Sequence, residues 1–145
     1  MARSLRKNSG LPWRAGSLLL AAWATAVGRS GIADAVRVVE AEIQNATRLY
    51  PQFFLGLAAD ILLAAGRPAD GLAHLDRAIA GIDEPGVGFY LPEIHRLRGE
   101  CLLALDGNNK AESRRDFLTA RDIASRQGAV IFERRAKARL VEMGP

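Results

Sequence analysis

Residues 57–78, LAADILLAAGRPADGLAHLDRA, read as a helix, a corner and a second helix. An apolar helix runs to Ala65, Gly66 can end it, and Pro68 can start the next, with Asp70 in the new first turn. Glycine just past one helix and proline just inside another is the expected asymmetry at such a corner, because only the first is free to turn left-handed and only the second has no N–H to waste. Ala59, Gly71 and Ala78 are small where the two helices must approach, and Leu75 lies between the last two.

The same spacing recurs on both sides, which matters because self-similarity at a fixed period decides the architecture. Ala59 is followed by Gly71, Leu75 and Ala78; a step back of 37 residues gives Ala22, Asp34, Val38 and Ala41. A step forward of 40 gives Gly99, and one of 42 gives Ser113, Phe117 and Ala120, the difference falling in the turn Asp106–Lys110. The packing set is therefore Ala22, Val38, Ala41, Ala59, Gly71, Leu75, Ala78, Gly99, Ser113, Phe117 and Ala120. Small residues let the helices of one hairpin cross closely, and the bulky residue fills the space between hairpins. Asp34 fits this set poorly, since a carboxylate does not belong in a tight crossing.

Periodicity extends the pattern to seven helices: about 13–27, 32–47, 51–65, 68–82, 89–105, 110–127 and 129–143. Expected inward residues include Val36, Val39 and Ile43; Phe54, Leu57, Ala58, Ile61 and Ala65; Leu72, Leu75, Ile79 and Ile82; Ile94, Leu97, Cys101 and Leu105; and Phe117, Ala120 and Ala124. Gly28 and Gly128 read as stops, Asp83–Gly88 as the most evident loop, and residues 1–12 as a basic, disordered start. The domain reading is one helical repeat unit over residues 13–145, with hairpins at about 13–47, 51–82 and 89–127 and a final helix. No alternating β pattern of useful length appears.

The chain has 145 residues, 49% of them hydrophobic and 6% aromatic, and a formal charge of +4. Abundant Ala and Leu with few aromatic residues favour helices. The charge is uneven: +4 over residues 1–14, −4 over 15–107 and +4 over 108–145. Arginine makes up 17 of the 20 basic residues, which suits a GC-rich genome as well as phosphate binding. The basic final helices also carry Glu112, Asp116, Asp122 and Glu133 and have no aromatic interleaving for base stacking, so nucleic acid is not the expected partner. Arg3, Arg6, Lys7 and Arg14 precede the uncharged run Ala15–Gly28 with its Ala-x-Ala pairs, an imitation of a secretory signal. The run is too short to span a bilayer, and the repeat claims it as a buried helix, so the expected place is the cytoplasm with no membrane contact. Export is the alternative if residues 1–28 are processed.

Period and pattern resemble a tetratricopeptide array, and more specific strings narrow the likeness. Phe54-Leu55-Gly56-Leu57-Ala58-Ala59, Ala64-Ala65-Gly66-Arg67-Pro68 with Gly71-Leu72, and above all Pro92 to Glu100 (PEIHRLRGE) resemble the C-terminal repeat region of large bacterial signalling proteins. Those proteins join an adenylate/guanylate cyclase or winged-helix module to an ATPase module and then to this array. The resemblance implies an all-α, right-handed superhelix of about three hairpins plus a final helix, acting by protein binding. It does not carry over the upstream chemistry: no glycine here is followed by lysine, so no phosphate-binding loop exists.

Candidate chemistry is thin, and the expectation is a non-enzyme without cofactor or metal. One cysteine, Cys101, excludes an internal disulfide, and its alignment with Ile61 makes it a small core residue. His74 reads as a surface residue, and His95 shows no partner in the sequence. Glu93, Arg96 and Glu100 share one side of the fifth helix and read either as a solvated ion-pair ladder or as a partner-binding surface. With Asp60 they form the candidate binding set, since first helices line the concave face in the arrays this chain resembles. That face would take a protein or peptide. The acidic Asp60, Glu93 and Glu100 argue against the Lys/Asn clamp by which related arrays hold a terminal carboxylate. Two further expectations are self-association through the open edge at Leu18, Leu19, Leu20 and Trp23, with the chain a shortened remnant of a cyclase/ATPase-type regulator, and a nucleic-acid-associated regulatory domain acting through the basic ends.

Overall fold

Proline marks four of the helix starts, Pro12 at the first residue of its helix among them. Pro51 and Pro68 open their helices and Pro92 is second in its own, where the missing N–H costs no hydrogen bond. The computed structural model describes residues 12–27, 31–48, 50–82 and 88–145. Within them lie α1 (Pro12–Val27), α2 (Ile32–Ala46), α3 (Pro51–Ala64), α4 (Pro68–Ala80), α5 (Leu91–Leu105), α6 (Lys110–Gln127) and α7 (Val130–Met143). Among the described residues the chain is all helical, apart from turns, and a short 3₁₀ turn, Gly107–Asn109, joins α5 to α6. The stop at Gly28, the loop residues 83–87 and the start 1–11 lie outside the described residues.

Gly66 does what the opening stretch asks of it. Its φ of +74° turns the chain left-handed, and the next residue, Arg67, donates its N–H to Leu62 O at 2.8 Å, closing α3. Gly128 repeats the device after α6, with Ala129 N–H donating to Ala124 O at 2.9 Å. At the α5–α6 corner Asp106 takes the N–H of Asn108 at 2.9 Å, and the Asn109 side chain caps Leu102 O at 3.0 Å.

Each helix packs on its sequence neighbour, and the odd helices α1, α3, α5 and α7 also touch one another in succession. The odd helices thus form a continuous row, and α2, α4 and α6 each pack against members of it. The crossings are as close as the small residues predict. A Cβ on Gly71 would lie 3.2 Å from Ala59 O and from Cys101 Sγ, and one on Gly99 would lie 2.7 Å from the Phe117 ring. Ala59, Leu75, Phe117 and Ala120 are wholly buried, and Ala78 nearly so. Ser113 is also wholly buried, with its hydroxyl unpaired among the described residues, so its role is smallness. In α3 the expected single stripe widens to both flanks, because Leu55, Gly56, Ala59 and Leu62 are buried too. A helix apolar all round belongs inside, with each large side chain worth about 1.5–3 kcal/mol when buried.

The first hairpin corrects the repeat. Ala22 packs as expected, but Ala41 is exposed and Val38 only half-buried, while Ala35 and Val39 fill the crossing. The step is 37 on the first helix and 36 on the second. One residue is about 100° of helix, and this turn carries Asp34 into water beside Arg37 instead of into the crossing. Leu105, expected inward, is likewise 43% exposed at the last residue of α5. No described helix is long and apolar enough to cross a membrane.

Candidate functional site

One face of the odd helices is lined by positions at a recurring spacing. Trp23 of α1 donates its indole N–H to Asp60 Oδ2 of α3 at 2.8 Å, a separation of 37 residues. One repeat on, Glu100 of α5 pairs with Arg139 of α7, with Nη2 to Oε2 at 3.0 Å and a separation of 39. Residues 23, 60, 100 and 139 therefore hold the same place in four successive helices, and neighbours in that row are joined in pairs.

Beside this row lies a recess of about 340 Å³ lined by Trp23, Ala26, Asp60, Ile61, Ala64, Arg96 and Arg135. Every odd helix contributes to it. Of the four candidate binding residues, Asp60 and Arg96 line it directly. Glu93 and Glu100 do not: Glu93 is 2% exposed, under two guanidiniums. Arg96 grips it with both prongs, Nε to Oε1 at 3.0 Å and Nη2 to Oε2 at 2.9 Å, and Arg135 Nη1 adds a contact at 3.2 Å. Glu100 is held by Arg139 and lies 3.7 Å from Arg96 Nη1. The trio is thus neither a solvated ladder nor a set of free contacts. It is a buried brace between α5 and α7 that presents Arg96 and Arg135 to the recess.

The charges follow from this geometry. Burial alone would lower the Arg96 pKa, but the Glu93 hydrogen bonds and charge hold it above its ordinary value. Tyr90 is pushed well above the usual phenol range by burial and next by Glu93. Arg135 is half-exposed, with Phe132 beneath its guanidinium at 6.0 Å, so it has donors left for a ligand. Asp60 spends one carboxylate oxygen on Trp23. The recess offers a carboxylate, two guanidiniums and an indole edge.

A second network ties α5 to α4 and α6. Arg98 reaches Asp76 of α4 at 2.8 Å and, on α6, Asp116 at 2.7 Å and Glu112 at 3.3 Å. His95 Nδ1 sits 3.1 Å from Asp116 Oδ1, a partner 21 residues away. His74 is half-buried where an outer position was expected, and burial, then Arg77, lowers its pKa. Cys101 is fully buried as expected, its thiol pushed up to about 12 by that burial and then by Glu100. No group of three or more metal-ligating side chains occurs among the described residues.

Sequence reasoning missed Trp23 and Arg135 as recess residues. The signal was present for both: Trp23 stands 37 before Asp60, and Arg135 stands 39 after Arg96, one repeat in each case. Spacing shows that such residues share a wall; it does not show which of them reach the solvent.

No family model matches the chain, and no solved structure matches it. The chain is similar to an uncharacterized protein of Rhizobium meliloti (strain 1021), 32% identical over 136 residues, which cover 88% of this chain and 13% of the relative. The chain therefore spans about 13% of the length of that relative.

Proposed function

We propose that the chain is a non-catalytic protein-interaction module, a tetratricopeptide-like right-handed array whose odd-helix wall binds an extended peptide or a neighbouring domain. The observation that carries this reading is the recess to which all four odd helices contribute, with Trp23, Asp60, Arg96 and Arg135 as its polar and aromatic groups. Asp60 and Arg96 remain in the binding set, Trp23 and Arg135 join it, and Glu93 and Glu100 become the groups that position the arginines. The contacts between equivalent positions, 37 and 39 residues apart, support an array built by stacking one unit. A regulatory or scaffolding role in a bacterial signalling system rests on the PEIHRLRGE likeness, and the much greater length of the similar protein accords with such a part of a larger assembly.

The test uses a peptide array probed with the labelled chain. Ala64 is exposed at the rim, so Ala64→Trp fills the recess without touching its ion pairs. Peptides captured by the parent chain should be lost by Ala64→Trp at unchanged melting temperature, and weakened by Arg135→Gln, which also lowers the melting temperature because Glu93 loses one guanidinium contact. Capture that ignores both substitutions refutes the recess as the binding site. Self-association through α1 has less support: Leu18 and Leu20 are exposed, but two residues apart they point to opposite sides of the helix.

A further inference from the structure

The α7 helix repeats the positions of α5 at a step of 39, a register anchored by the Glu100–Arg139 pair. On α5 one face receives α6: Gly99 lies under Phe117, His95 meets Asp116, and Arg98 meets Asp116 and Glu112. On α3 the same face receives α4, with Ala59 against Gly71. The corresponding residues of α7 are Arg134, Lys137, Ala138 and Val141, and all four are exposed, Val141 to 80%. Among the described residues no helix lies on them. Arg134 makes no ion pair there, and Lys137 bonds only Glu133, one turn away on its own helix.

We propose that this outer face of α7 is a docking site for one acidic amphipathic helix of a partner protein, seated as α6 is seated on α5. The small Ala138 permits close approach, as Gly99 and Ala59 do. Arg134 and Lys137 stand where His95 and Arg98 take their carboxylates, so the incoming helix must bring acids there. Its pattern is that of residues 112–120: acid, small residue, then acid and bulky apolar residue four on, then alanine, filled here by Glu112, Ser113, Asp116, Phe117 and Ala120. A second copy is a poor occupant for two reasons. Its own helices of this pattern are already buried against α3 and α5. Two α7 faces related by a twofold axis would also set Arg134 and Lys137 against like charges.

The probe is a fluorescent peptide of residues 110–127, held helical by a side-chain staple on its solvent face because an 18-residue helix is marginal alone. Saturable binding to the parent chain is expected in fluorescence anisotropy. Ala138→Phe and the pair Arg134→Glu with Lys137→Glu should each weaken it by about tenfold or more, with melting temperatures unchanged. A peptide carrying Glu112→Lys and Asp116→Lys should fail on the parent and bind the charge-reversed chain. Absence of saturable binding, or binding indifferent to Ala138→Phe, overturns the proposal. So does a parent dimer in light scattering that Ala138→Phe converts to monomer. Ala64→Trp at the recess should leave this binding intact, which separates it from the proposed function.

Discussion

Replacing Glu93 by glutamine is the sharpest probe of the brace beneath the recess. The carboxylate is 2% exposed and takes three guanidinium contacts, two from Arg96 and one from Arg135. Removing one member of a fully buried pair costs about 3–5 kcal/mol, because the partner is left charged and unpaired. Arg96 keeps 18% side-chain exposure and Arg135 keeps 50%, so water recovers part of that loss. Glutamine also retains one neutral acceptor, worth about 1 kcal/mol. The expected loss is therefore about 2–3 kcal/mol, read as a lower urea midpoint at unchanged slope. For a domain of this size it corresponds to a melting temperature lower by about 8 °C. Arg96→Gln should cost less, since Arg135 still covers Glu93, and the double variant should cost less than the two singles together by about 1–2 kcal/mol. A melting temperature within about 1 °C of the parent, or singles that add within about 0.5 kcal/mol, would refute the buried brace and restore Glu93 as a solvated surface residue.

Three further outcomes test the packing and its pH response. Gly99→Ala should gain about 1 kcal/mol of helix propensity and lose about 1–3 kcal/mol to overpacking against the buried Phe117 ring, a net loss near 1 kcal/mol by urea melt; a net gain would mean the α5–α6 crossing is loose. His74 is held below its ordinary 6.5, first by burial and then by Arg77, so below about pH 6.5 the unfolded chain binds more protons than the folded one. Stability contributed by this group is therefore present above pH 6.5 and is lost as pH falls toward the lower folded value; His74→Gln should flatten that part of the curve of melting temperature against pH, and an unaltered slope would exclude the effect. Cys101 should resist an aromatic disulfide reagent at pH 8 in the folded chain and react at once in urea, because burial pushes its thiol up to about 12; rapid reaction of the folded chain would place it at the surface.

The seven helices and two glycine corners were legible because the signals are local: apolar spacing, a proline at the start, a glycine past the end. The crossings of the second and third hairpins were legible for the same reason, since Gly71, Leu75 and Ala78 recur 42 residues on as Ser113, Phe117 and Ala120, with the same spacing inside each helix. Tertiary structure decided the rest. The register of α2 against α1 turned on one residue, and the cost of burying Asp34 selected the rotation that places Ala35 and Val39 inside and Ala41 in water. Whether Glu93 and Glu100 met a partner or their own chain depended on Arg135 and Arg139, some 40 residues away, and helical spacing carries no information about a side chain on another element. The period alone showed which positions recur at one place on successive odd helices. Only the packing of four helices settled which of them, Trp23, Asp60, Arg96 and Arg135, border open space, because exposure belongs to the assembled row and not to any one helix.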